Sequence, residues 1–101
     1  MSSGNGEPLL YSVSMSQIQR ANLLQLHQQA NSLGQGPRFL AAYREIVRRL
    51  QRDPQVFGEA LYKLPALHLE IRQAVVAPDV VDFAVHDEQP IVFIRGFKVL
   101  S

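Results

Sequence analysis

At 101 residues the chain is the size of one domain, and a hydrophobic share of 47% is enough to build a single core. A formal charge of +1 gives no overall bias toward nucleic acid, membranes or acidic substrates, so any such preference must come from a local patch. The absence of cysteine excludes disulfides, thiolate metal ligands and cysteine nucleophiles, and with them goes the argument for an oxidising compartment.

Residues 1–8 are small and polar and read as a flexible leader, with 9–101 as one domain. No apolar run approaches the ~20 residues of a membrane span, and no basic segment followed by an apolar stretch opens the chain. A soluble cytoplasmic protein with no membrane partner is expected.

From Leu9 the pattern acquires a period of two, with Tyr11, Val13 and Met15 on one side, which predicts a first strand. Ser16 and Gln19 have the spacing of a capping box, so a helix is predicted over 17–33, ended by Gly34 and Gly36. Pro37 suits the first turn of a second helix, whose Phe39, Tyr43, Ile46 and Leu50 recur every three or four residues. Its other side is basic: Arg44, Arg48 and Arg52 form a row, and Glu45 has the spacing to pair with Arg49. Asp53-Pro54 closes this helix, because the residue before proline is driven out of the helical region.

Residues 55–65 show no sustained period and are read as a loop that lends Phe57 and Leu61 to the core. Leu67, Leu69 and Ile71 then alternate with His68, Glu70 and Arg72; Val80–His86 is rich in valine and phenylalanine; Ile91–Leu100 is a third strand-like run. The short polar turn Asp87–Pro90 predicts a hairpin between the last two. The expected architecture is α+β, in the order β-α-α-β-β-β, with two helices packed on one face of an antiparallel four-stranded sheet.

Three stretches carry a family resemblance. Arg49-Leu50-Gln51-Arg52-Asp53-Pro54 is similar to an "L-x-x-x-P" helix end, Gly58-Glu59-Ala60-Leu61-Tyr62-Lys63-Leu64 follows it, and Val85–Arg95 is similar to a closing "V-x-D-(x)-V-V-V-x-x-V" hairpin. In that order they resemble the RelE/ParE superfamily of bacterial type II toxins, over roughly Leu9 to Lys98. The resemblance implies a toxin of a toxin-antitoxin or plasmid-stabilisation system, with a cognate antitoxin as partner and no cofactor. RelE-like members cut messenger RNA on the ribosome as mRNA interferases, and ParE-like members act on DNA gyrase. Arg72 matches the basic residue that family members often carry in the first strand of the meander, and Lys63 lies in the segment before it. The family's "Y-R-hydrophobic-x-Y" strand is replaced here by Pro78-Asp79-Val80-Val81-Asp82-Phe83. That removes a usual arginine and the tyrosine hydroxyls, for which the resemblance implies a partial substitution by Arg95 and Lys98.

RNA cleavage needs cations to stabilise the pentacoordinate phosphate and groups that move protons. His68, Glu70 and Arg72 on one strand would share a face and supply acid, base and cation, with Arg95 and Lys98 beside them as further candidate catalytic residues. A merely solvated or partner-covered strand face explains the same spacing. Lys63, Arg44, Arg48 and Arg52 are the candidate RNA contacts, through phosphates; a solvated helix face, or a surface for an acidic antitoxin segment, accounts for the same arginines. His27, His68 and His86 are too scattered for a metal site, and Ser12, Ser14 and Ser16 are explained by strand and cap positions.

Overall fold

The computed structural model describes residues 10–100; the predicted leader lies outside them. Strand β1 (Ser12–Met15) leads into helix α1 (Gln17–Ser32), whose first turn is capped by Ser16 Oγ accepting from the Gln19 amide at 3.1 Å. Only that half of the capping box forms, since Gln19 Oε1 is buried with no partner. At the far end the Leu33, Gly34 and Gln35 amides donate to the Ala30 and Asn31 carbonyls, and Gly34 takes the left-handed φ of +72° that turns the chain.

Helix α2 (Gly36–Arg52) holds Pro37 in its first turn, where no amide is needed, and stops at Asp53 before Pro54. Its buried stripe is Phe39, Ala42, Ile46 and Leu50, spaced three or four apart. Tyr43 sits half-buried at the edge of that stripe, its ring tilted on Phe97 at 5.8 Å. Glu45 pairs with Arg48 rather than with Arg49; Arg49 instead reaches Asp53 at 2.8 Å and lies over the Phe57 ring.

The expected loop 55–65 contains a strand, β2 (Glu59–Leu64), which pairs antiparallel with β3 (Leu69–Val76). Its alternation is invisible in the sequence because it is an edge strand exposed from Glu59 to Lys63, and because a bulge at Leu61 shifts the register between Ala60 and Tyr62. Gly58 introduces it with φ +73°, and a Cβ there would collide with the Gln73 carbonyl oxygen and lie 2.7 Å from the Ala74 methyl. Gly58→Ala is therefore expected to destabilise the protein by roughly 3 kcal/mol through strain and overlap. An unchanged urea midpoint would refute this account of the turn.

Strands β4 (Asp79–His86) and β5 (Ile91–Val99) complete the sheet and form the expected hairpin. The sheet has five strands in the order β1-β5-β4-β3-β2, with β1 parallel to β5 and every other pair antiparallel. The chain is thus α+β, but its sheet is mixed and five-stranded rather than antiparallel and four-stranded. Both helices pack on one side, where Ile46 and Leu50 of α2 meet Phe57, Ala74, Val81, Phe83, Val85, Val92, Ile94 and Phe97. Fully burying a side chain such as Leu50 or Ile46 contributes about 1.5–3 kcal/mol, so α2 anchors the helical layer. Helix α1 buries no residue; Leu23 and Leu26 touch the core, and Asn22 Nδ2 donates to the Phe97 carbonyl at 3.1 Å. Among the described residues, no helix is long and apolar enough to cross a membrane.

Candidate functional site

The sheet has one covered face and one open face, and strand register assigns each predicted site residue to one of them. On β3, Arg72, Ala74 and Val76 lie opposite Phe83, Val81 and Asp79, on the helix side; Ile71, Gln73 and Val75 therefore point the other way. Arg72 is 7% exposed, and each nitrogen of its guanidinium donates once: Nε to the Phe57 carbonyl at 3.1 Å, Nη2 to the Gly58 carbonyl at 3.1 Å, and Nη1 to Glu70 Oε1 at 2.8 Å. Arg72 and Glu70 tie the start of β2 to β3.

His68 does not share their strand. It caps a short 3-10 turn over Pro65–Leu67 in the left-handed region, φ 56°, so β3 begins only at Leu69 and the expected alternating set of His68, Glu70 and Arg72 is broken. Its ring lies 6.0 Å from that of His86, and its Nδ1 is 4.0 Å from Glu88 Oε1. His86 Nδ1 accepts the Glu88 and Gln89 amides at 3.0 and 3.1 Å, which places its own proton on Nε2 and braces the β4–β5 turn.

The open face gathers a different set. Tyr62, Ile71, Ala84, Phe93 and Ser14 form one row across all five strands by register. The pairing passes from Asp82 opposite Gly96 to Phe83 opposite Ile94, so Arg95 is the extra residue of a bulge on β5. Its Nη1 donates to Tyr62 Oη at 3.4 Å, a long hydrogen bond. β2 and β5 are three strand spacings apart, about 14 Å, so the two side chains meet above the strands between them. That roof explains why Ile71 and Ala84 are each only 1% exposed on the face the helices do not cover. The small Ala84 makes room for the contact.

Beside it, Gln73 Nε2 donates to Asp82 Oδ1 at 2.9 Å. Gly96, lacking a side chain, leaves a depression of about 230 Å³ lined by Val80, Asp82, Phe97 and Lys98. Tyr62 is 49% and Phe93 40% exposed, and Arg95 and Lys98 are exposed as well. The face thus offers two cations, one phenol and two aromatic rings, a set able to hold an anion or a planar group. Lys63, opposite Glu70, belongs to the other side of the edge strand, away from them.

Arg44, Arg48 and Arg52 project from α2, which packs against the covered face, so the sheet separates the predicted helix cations from Arg95 and Lys98. The hydrogen bond from Arg48 holds the Glu45 carboxyl below its usual range. Among the described residues, no group of three His, Asp or Glu side chains is placed to hold a metal ion.

Two features escaped sequence reasoning. Tyr62 was hidden in the supposed loop, although Gly58 and Pro65 bracket a run short enough to be an edge strand. Asp79 was assigned to a turn, but it opens β4, fully buried, with neither carboxylate oxygen hydrogen-bonded. Comparison of this chain with protein-family models, with curated proteins and with solved structures finds no match.

Proposed function

We propose that this chain is a toxin-like component of a type II toxin-antitoxin system, built on a RelE/ParE-like fold and acting by binding a protein rather than by cutting RNA. The supporting observation is Arg72. The cation best placed by resemblance to stabilise a phosphate transition state is instead buried, with its donors committed to Phe57, Gly58 and Glu70. A guanidinium so buried, with each of its three nitrogens already holding a protein acceptor, is withheld from a substrate. The β-α-α start and the terminal meander support the fold assignment, and the cognate antitoxin is the expected partner.

A second reading, ribosome-dependent messenger cleavage, draws on Tyr62, Arg95 and Lys98, which share the open sheet face. Inducible expression separates the readings. Binding predicts arrested growth with ribosome-bound messages intact, and a halt in supercoiling rather than translation would mark gyrase as the target. Message cleavage that disappears in Tyr62→Phe and Arg95→Ala would establish the nuclease and overturn the first reading. Unimpaired growth would remove the toxin assignment altogether.

A further inference from the structure

Asp79 lies fully buried at the start of β4, on the side of the sheet that the helices cover, and neither of its oxygens has a hydrogen-bond partner. Buried polar atoms are almost always paired, so a carboxyl with both oxygens bare calls for a physical reason. The flanking strands set Val76 and Val99 opposite it, and Lys98 belongs to the other face. Of the titratable groups on the helices, His27 stacks on the Phe39 ring at 5.5 Å and Arg38 is exposed in the first turn of α2. Neither acts on the Asp79 carboxyl, which is raised by burial alone.

A hollow adjoins the same end of the sheet. Pro78, which precedes Asp79, and Val99, its partner across the ladder, form one wall of a space of about 390 Å³ between the end of α1 and the start of α2. Leu26, Ala30, Leu33 and Phe39 make the remainder apolar, and no charged residue among those described lines it. That volume falls at the small end of ligand sites, ~300–1,000 Å³. Because α1 ends and α2 begins there, the opposed partial charges of the two helix ends largely offset each other. Asp79, behind the Pro78–Val99 wall, is left to set the charge that the hollow selects. Strand β5 ends at Val99, and strand ends open more readily than strand centres, so this side chain is the movable part of the wall.

We propose that this hollow binds a primary alkylammonium ion, its chain among Leu26, Ala30 and Phe39 and its ammonium on the Asp79 carboxylate once Val99 turns aside. An ammonium has three donors and answers both bare oxygens, whereas an alcohol offers one donor and no charge. An anionic ligand would meet a second negative charge with nothing to offset it. A buried carboxylate is costly until a cation pairs with it, so the ligand would convert a destabilising group into the contact that selects it. The site lies on the opposite side of the sheet from Tyr62, Arg95 and Lys98, and it does not depend on the protein-binding reading.

The test titrates the full chain with n-hexylammonium chloride, followed by amide NMR and by the carbon shift of the Asp79 carboxyl, with 1-hexanol as the uncharged counterpart and sodium chloride as the salt control. Saturable shifts centred on Ala30, Phe39 and Val99 are expected at millimolar amine, and none with sodium chloride. Burial holds the Asp79 proton up to about 7, while an alkylamine, like lysine, keeps its own to about 10.4. Affinity for the amine should therefore rise on the order of tenfold or more from pH 5 to pH 8, and the Asp79 carbon should titrate at lower pH with amine bound. At pH 8, 1-hexanol should bind about tenfold more weakly, and Asp79→Asn should lose a similar factor together with the pH dependence. Equal binding of amine and alcohol overturns the inference, as does parental affinity in Asp79→Asn or no shift at millimolar amine. A pH dependence that survives in Asp79→Asn would belong to His27 and overturns it too, and shifts centred on Asp82 and Gly96 would place the ammonium on the wrong carboxylate. Should Asp79→Asn fail to fold, the pH series and the alcohol comparison on the parent chain decide alone.

Discussion

Replacing Asp79 with asparagine is expected to stabilise the protein at and above neutral pH and to flatten its pH dependence. Asp79 is 0% exposed, on the helix-facing side of β4 with Val81, Phe83 and Val85, between Val76 and Val99 of the flanking strands. Neither oxygen has a hydrogen-bond partner, and burial alone, with no charged neighbour contributing, pushes its carboxyl up to about 7 from an ordinary 3.8. Charging a group in such a place costs free energy, so the folded state keeps the proton longer than the unfolded chain does. With more protons bound to the folded state, stability falls as pH rises. Below the ordinary carboxyl value both states are protonated and there is no cost; from there to about 7 the cost accumulates, and above it the loss is constant. At ~1.4 kcal/mol per pH unit the full loss is at most about 4 kcal/mol. Asparagine cannot ionise, though its amide also lacks partners, so the gain at pH 8 should be smaller, about 2 kcal/mol. Urea unfolding at pH 5 and pH 8 measures both: the parent midpoint should drop between them and that of Asp79→Asn should not. Parallel behaviour of the two proteins would show that the carboxylate finds a partner and would defeat the argument.

The second large effect concerns Arg72. Arg72→Ala should cost on the order of 3 kcal/mol or more, because it leaves Glu70 and the Phe57 and Gly58 carbonyls without their donors in a largely buried setting. In a domain of this length that lowers Tm by more than about 10 °C. Arg72→Lys should recover little of it, since a single ammonium cannot address three acceptors spread around a planar fork. Arg95→Ala, on the exposed face, should cost far less, about 1 kcal/mol, from lost cover over Ile71 and Ala84. Differential scanning calorimetry of the three variants decides between a structural and a reactive arginine. Near-parental stability of Arg72→Ala would free the guanidinium for chemistry and reopen the nuclease reading.

Both predictions turn on residues whose type was plain in the sequence but whose surroundings were not. Arg72 looked like a reactive cation because alternation with Leu69 and Ile71 put it on the polar side of a strand. The helices cover that side, and the loop carbonyls of Phe57 and Gly58, about 15 residues earlier, come to meet it. His68 failed for a local reason: one left-handed residue after Pro65–Leu67 delays the strand, and a periodicity count does not register φ. Tyr62 and Arg95 are 33 residues apart and meet only because a bulge on each edge of the pairing aims them over Ile71 and Ala84.

Both helices, the Ser16 cap, the Asp53-Pro54 stop and the final hairpin were legible from the chain alone, because each depends on contacts within a few residues: periodic apolar side chains, a hydroxyl near free amides, a proline ring. The parallel pairing of β1 with β5, the edge strand β2, the burial of Asp79 and the division of the cations between two faces were decided by the tertiary structure. Those depend on which strands become neighbours and on which side the helices settle, and both are set by the collective burial of Ile46, Leu50, Phe83 and Val92 rather than by any local signal.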